Sequence, residues 1–123
     1  MTTAGTHAVL EVRSFRLFPG RRAAFDRIFR EGAVPLMEAC GIRVVGFGPS
    51  AHDQDSYFLA RAYASLEDRR RALDSFHGSP EWLTRYDAAI LALVDQYATS
   101  VVECDAAAID ALAASLVREV AAA

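Results

Sequence analysis

The sequence predicts an α+β fold: a four-stranded antiparallel sheet built in the order β-α-β-β-α-β, followed by an extra C-terminal helix. Three observations predict it. Residues 8–17 alternate with the two-residue period of a strand. Residues 42–48 and 56–64 are rich in β-branched and aromatic side chains and flank a polar turn, as the arms of a hairpin do. Helical periodicity follows the first strand and again follows the hairpin, and a β-branched segment closes the series.

In the first strand, Val9, Glu11, Arg13, Phe15 and Leu17 share one face, and Leu10, Val12, Ser14 and Arg16 share the other. Neither face is cleanly polar. That suits a sheet covered on both sides, by helices on one and by a partner subunit on the other. Pro19-Gly20 turns the chain into a helix in which Phe25, Ile28, Phe29, Leu36, Ala39 and Cys40 recur at helical spacing. Gly32 and Pro35 interrupt that helix and predict a kink or a break, because an internal proline removes a hydrogen bond and clashes with the preceding turn. Gly41 closes it, and Ile42 to Gly48 and Ser56 to Ala64 form the hairpin strands around a turn at Pro49 to Asp55.

Ser65-Leu66-Glu67-Asp68 is a capping box opening a helix through Arg69, Leu73 and Phe76. Gly78 stops it, Ser79 caps the next helix and Pro80 takes its first position, so the second helical layer is broken at Ser79. The following helix is expected from Pro80 to about Tyr97, with Leu83, Tyr86, Ile90 and Val94 facing the core. Thr99 to Glu103 is read as a short fourth strand. Asp105 then caps a last helix whose narrow stripe of Ile109, Leu112, Leu116 and Val120 suits an outer surface or another subunit.

Composition bounds the function. The 123 residues make one domain and are 53% hydrophobic, enough for a core that buries about two-thirds of the unfolded chain's surface. Residues 1–7 are small and polar and are expected to be disordered, residues 8–104 form the domain, and residues 105–123 form a helical extension. Thirteen basic residues, all arginine, against sixteen acidic ones give a net charge of −3, which argues against a nucleic-acid groove. The absence of lysine fits a GC-rich bacterial genome. Cys40 and Cys104 lack C-x-x-C spacing and read as two reduced thiols. The longest apolar run, Ala88 to Val94, falls far short of the roughly 20 residues a membrane span needs. No signal peptide is visible, and a cytoplasmic protein is expected.

The stretch Phe76-His77-Gly78-Ser79-Pro80-Glu81-Trp82, taken with Leu10-Glu11-Val12-Arg13-Ser14-Phe15-Arg16-Leu17-Phe18-Pro19-Gly20, resembles the NIPSNAP family. Gly41-Ile42-Arg43-Val44-Val45-Gly46 and Leu59-Ala60-Arg61-Ala62-Tyr63-Ala64-Ser65-Leu66-Glu67-Asp68-Arg69 lie between these anchors in the family's order. The resemblance covers about residues 9–103. It implies a ferredoxin-like domain of the dimeric α/β barrel superfamily, and hence a homodimer. A larger assembly follows if the C-terminal stripe also finds a partner. Glu11, Arg13 and Phe15 match the family's Glu-x-Arg-x-aromatic pattern, although Phe15 stands where a tyrosine is common, so a phenolic hydroxyl there is lost.

Two constellations carry candidate chemistry. His77, Glu81 and Trp82 combine a near-neutral base, a carboxylate and an indole, and suit a pocket mouth. The same residues also serve structurally, as a compensated helix end and a core plug. Glu11, Arg13, Arg61 and Tyr63 share a sheet face and predict a polar patch buried in the dimer. It reads either as a salt-bridge network or as an arginine clamp for a carboxylate or enolate. The expected pocket lies between sheet and helices, lined by Trp82, Phe76, Tyr63 and Phe29 with His77 at its rim. His52, Asp53 and Asp55 read as a solvated turn rather than a metal site. No G-x-S-x-G, G-x-G-x-x-G or G-x-x-x-x-G-K motif occurs, so no cofactor is expected.

Relatives in the superfamily include cofactor-independent monooxygenases, lactone isomerases and dehydratases. The resemblance therefore implies a small apolar or aromatic ligand, with His77, Arg13 and Tyr63 as catalytic groups and Trp82, Phe76, Phe29, Arg61 and Glu11 holding the substrate. The alternative is a non-catalytic ligand-binding or protein-interaction module.

Overall fold

A computed structural model of the chain describes residues 7–116. The alternating opening segment forms β1 (His7–Leu17), which runs between β3 (Ser56–Tyr63) and β4 (Val94–Asp105), antiparallel to both. β2 (Arg43–Pro49) pairs outside β3, giving the order β2-β3-β1-β4 of a ferredoxin-like sheet. Residues directly opposed in such a ladder share a face. Val9, Glu11, Arg13 and Phe15 therefore stand beside Tyr63, Arg61, Leu59 and Tyr57.

The helices cover this face. α1 (Arg22–Ile28) and α2 (Val34–Ala39) follow β1, α3 (Leu66–His77) follows the hairpin, and α4 (Asp87–Leu91) precedes β4. Phe25 stacks on Phe29 at 4.4 Å between ring centroids and meets Phe15 at 5.1 Å and Tyr57 at 4.8 Å. Each such side chain contributes about 1.5–3 kcal/mol by leaving water. The Tyr57 hydroxyl donates to Asp26 at 2.6 Å, so the polar end of this cluster is satisfied. Arg22 fastens α1 to the hairpin turn by donating to the carbonyls of Asp53 and Ser56 at 2.6 and 3.1 Å.

The interruption at Gly32 and Pro35 is a π turn. Phe29–Ala33 widens between α1 and α2, and the Val34 N–H donates to the Phe29 carbonyl. The extra residue shifts the helical phase, so Val34 and Met37 reach the core while Ala39, expected there, is exposed. A second π turn, Trp82–Tyr86, runs into α4 and has the same effect: Ile90 is buried, but Leu83 is 55% exposed rather than packed. The two π turns touch. A Cβ on Gly32 would overlap the Tyr86 ring, so only glycine lets these elements approach so closely.

The helix expected to reach Tyr97 ends at Leu91, and β4 is twelve residues long rather than the short Thr99–Glu103 segment. The Ala- and Leu-rich tract favours helix locally. β1, however, needs a partner along its whole length, and Leu17 pairs with Val94 as Phe15 does with Tyr97. Tertiary pairing overrides the local preference. At the other end, His7 is a strand residue opposite Asp105, with its ring nitrogen 2.8 Å from Glu103, rather than part of a frayed start.

Ser65 caps α3 as expected, accepting from the Asp68 N–H at 3.0 Å. Asp105 precedes α5 (Ala106–Ser115), but its side chain makes no cap bond. α5 lies on the sheet face opposite the other helices. Ile109 is buried against Ala8, Val45, Ala60 and Ala62, with Leu112 and Leu116 packed alongside. The apolar stripe expected on an outer surface or another subunit is thus used within the chain. Val120 lies outside the described residues.

Candidate functional site

The register that sets Glu11 opposite Arg61 places a carboxylate and a guanidinium side by side beneath the helices. Both are almost wholly buried, at 0% and 1% exposure. Glu11 Oε1 accepts from Arg61 Nε at 2.6 Å and from the Tyr63 hydroxyl at 3.1 Å. Glu11 Oε2 accepts from Arg69 Nε and Nη2 at 3.1 and 2.8 Å. This is the polar cluster expected between two subunits. It lies instead inside one chain, because the residues on its face of β1 and β3 point toward the helices, and α3 supplies Arg69, a partner not foreseen.

Burial alone would raise the Glu11 pKa. The guanidinium groups of Arg61 and Arg69 outweigh it and hold the carboxyl below its ordinary 4.5, so Glu11 is charged at neutral pH. Burial, aided by that carboxylate, pushes the Tyr63 hydroxyl well above the usual phenolic range, so it stays a neutral donor. Arg61 directs Nη1 toward the Met37 sulfur at 3.9 Å. Its Nη2 is buried and has no acceptor from the described residues.

Arg61 forms part of the wall of a cavity of about 210 Å³ between the sheet and the helices. Phe15, Phe29, Phe76 and Trp82 give it an aromatic lining. The polar groups on its wall are Arg13, Arg61, His77 and Asp87. Arg13 donates from Nε to Thr99 at 3.1 Å, and its guanidinium carbon sits 4.9 Å from the Tyr97 ring centroid. Leu91, Val94 and Tyr97 complete the side next to β4.

The break at Ser79 builds the aromatic wall. The Ser79 hydroxyl donates to the Phe76 carbonyl at 2.8 Å and accepts from the Trp82 N–H at 3.2 Å, which ties the end of α3 to the start of the next turn. Phe76 and Trp82 then meet at 4.7 Å, with the His77 ring 5.6 Å from Trp82. The His77 imidazole makes no hydrogen bond among the described residues. Burial first, and then the charges of Arg61 and Arg13, lower its pKa below the ordinary 6.5. It is therefore an unprotonated base at neutral pH.

The structure brings His77, Arg13, Arg61, Trp82, Phe76 and Phe29 to one cavity and leaves three expected participants out. Glu11 sits behind the wall and holds Arg61. Tyr63 lines a different feature, a shallow groove of about 850 Å³ at the other end of the sheet. Arg43 and Arg71 in that groove are already paired, with Asp110 and Asp68. Glu81 faces solvent and pairs with Arg85 at 3.4 Å. Asp87 takes the place expected for Glu81 because the π turn hydrogen-bonds the Asp87 N–H to the Trp82 carbonyl and so brings these two residues into line. An α-helical spacing gives no hint of that pairing.

The NIPSNAP family profile matches residues 10–104. The chain belongs to the NIPSNAP family. Among curated proteins none matches it. A NIPSNAP family protein of unknown function from Agrobacterium tumefaciens superposes with a TM-score of 0.74 at 20% identity, over 81% of this chain and 90% of that one. A NIPSNAP-like domain protein from Burkholderia xenovorans gives a TM-score of 0.73 at 20% identity, over 79% and 84% of the two chains. SnoaB, a cofactor-independent oxygenase from Streptomyces nogalater, gives 0.57 at 22% identity, over 77% and 90%. At these identities the likeness shows the fold.

Proposed function

We propose that this chain binds a small aromatic or apolar molecule in the cavity between sheet and helices and transforms it without a cofactor, as a monooxygenase-like or isomerase-like enzyme. One observation carries the reading. His77, unprotonated and without a hydrogen bond among the described residues, borders an aromatic cavity that also presents two guanidinium groups. In this role His77 removes a proton from the bound molecule, and Arg13 with Arg61 steadies the oxyanion that develops. The likeness in fold to SnoaB supports a reaction that needs no cofactor. Tyr63 takes no direct part, since its hydroxyl is committed to Glu11.

The proposed working form is a homodimer in the cytoplasm. Leu10 and Val12 on the sheet face beside α5, and Val102 on β4 at 50% exposure, offer apolar surface for a second copy. The two unpaired thiols, Cys40 and Cys104, suit a reducing compartment. Among the described residues, no helix is long and apolar enough to cross a membrane.

The test is the fate of the ligand. Mass spectrometry of what co-purifies, followed by incubation in air, should show conversion by the native protein. His77→Ala should slow that conversion about 10²–10⁴-fold. Release of the ligand unchanged from the native protein would contradict catalysis and leave a binding module.

A further inference from the structure

Building on that reading of the cavity, we infer that its ligand is a single-ring aromatic anion whose carboxylate or phenolate oxygen sits on Arg61 Nη2 beside Arg13. Three observations converge. The first is Arg61, a side chain 1% exposed that forms part of the cavity wall and whose buried Nη2 has no acceptor from the described residues. A buried, charged donor left unpaired is strongly destabilising, so a bound oxygen that accepts from it recovers that loss.

The second is charge. Among the cavity walls and the network behind them, Arg13, Arg61 and Arg69 face only Glu11 and Asp87 as carboxylates. One positive charge is left over. A monoanion balances it, whereas a neutral ligand leaves it in place and a dication adds to it.

The third is size. An apolar cavity of about 150 Å³ accepts a benzene molecule. At about 210 Å³ this one has room for a single ring bearing a carboxylate or short oxygenated arm, and a fused second ring in addition exceeds it. The aromatic and polar walls meet at His77, so a ring lying against Phe76 and Trp82 presents its substituent to the guanidinium groups and its own C–H or O–H to the imidazole.

The experiment is a fluorescence titration with three probes: benzoate, its neutral counterpart benzyl alcohol, and 2-naphthoate. Trp82 is the sole tryptophan, so the signal reports on the cavity wall. Benzoate should bind about tenfold more tightly than benzyl alcohol, the range expected for a hydrogen bond to a charged group, and more tightly than 2-naphthoate, whose second ring exceeds the cavity. Arg61→Gln strips Glu11 of a buried partner and threatens folding. Arg13→Gln, outside that network, provides the second variant, and in it the preference for benzoate over benzyl alcohol should collapse.

Equal binding of benzyl alcohol and benzoate, or a preference that survives Arg13→Gln, would overturn the anion site while leaving the cavity as the binding site. Tighter binding of 2-naphthoate than benzoate would overturn the single-ring limit. A titration in which no probe alters the Trp82 emission would overturn both this inference and the reading of the cavity beneath it.

Discussion

Glu11 engages Arg61 through Nε alone, at 2.6 Å, and this one-point contact leaves Nη2, on the same edge of the guanidinium, without an acceptor from the described residues. A fork-on-fork pair would have used both nitrogens on one carboxylate. Here the second oxygen of Glu11 is taken by Arg69 from α3. The sheet and the helix thus share one carboxylate, and the Arg61 side chain that carries the surplus donor forms part of the cavity wall.

Removing that carboxylate should be costly. Glu11→Gln leaves two guanidinium groups without their counter-charge, one of them fully buried, and should destabilise the fold by about 3–5 kcal/mol. Urea denaturation at neutral pH measures it. The folded-state pKa of Glu11 is lowered, so its contribution is complete above 4.5 and is lost as pH falls through the lower, folded value. The gap between native protein and variant should narrow in that acidic window.

His77 gives a second pH signature, at a higher pH. Its pKa is lowered by burial and by Arg61 and Arg13, against weaker support for the charged form from Asp87 and Glu11. In the window below 6.5 the unfolded chain therefore binds more protons than the folded one. The native protein should lose stability as pH falls through that window, and His77→Gln should lose less over the same range. Melting temperatures of the two proteins at pH 7 and pH 5 decide this, and an imidazole titration by NMR should place the midpoint below 6.5.

The contact between the two π turns predicts a coupled pair. Gly32→Ala pushes a methyl group into the Tyr86 ring and should cost about 1–3 kcal/mol. Tyr86→Ala removes the obstacle, so adding Gly32→Ala to it should cost much less. Near-additive effects in this double-mutant cycle would contradict the close approach.

On the opposite face, Ile109→Ala should destabilise by about 2–5 kcal/mol, because the side chain is 1% exposed against Ala8, Val45, Ala60 and Ala62. A helix that met only another subunit would instead show a loss that depends on protein concentration. Thermal melts across a range of concentrations separate the two.

Much of this arrangement was legible in the sequence. Ser65 with its capping acid, and Ser79-Pro80 after Gly78, mark helix ends by local chemistry that the fold keeps. The alternation from Val9 to Leu17 puts Glu11 and Arg13 on one face, and the ferredoxin-like strand order brings Arg61 and Tyr63 beside them. Which way that face points was not legible, since both faces of β1 carry apolar residues. The π turns were hidden because each inserts a residue into an otherwise ordinary helical period; this is why Asp87, Met37 and the exposure of Leu83 escaped. Arg69 escaped because its partner is 58 residues away in sequence. The length of β4 escaped because pairing with β1, rather than its Ala-rich composition, decides it.

The most direct test is a crystal structure of the protein with 4-bromobenzoate, whose bromine locates the ring by anomalous scattering. The ring should lie in the cavity between Phe76, Trp82 and Phe29, with a carboxylate oxygen within hydrogen-bond distance of Arg61 Nη2 and Arg13. Bromine found only in the groove beside Tyr63 or on the protein surface, with the cavity unoccupied at saturating probe, would contradict the assignment of the site.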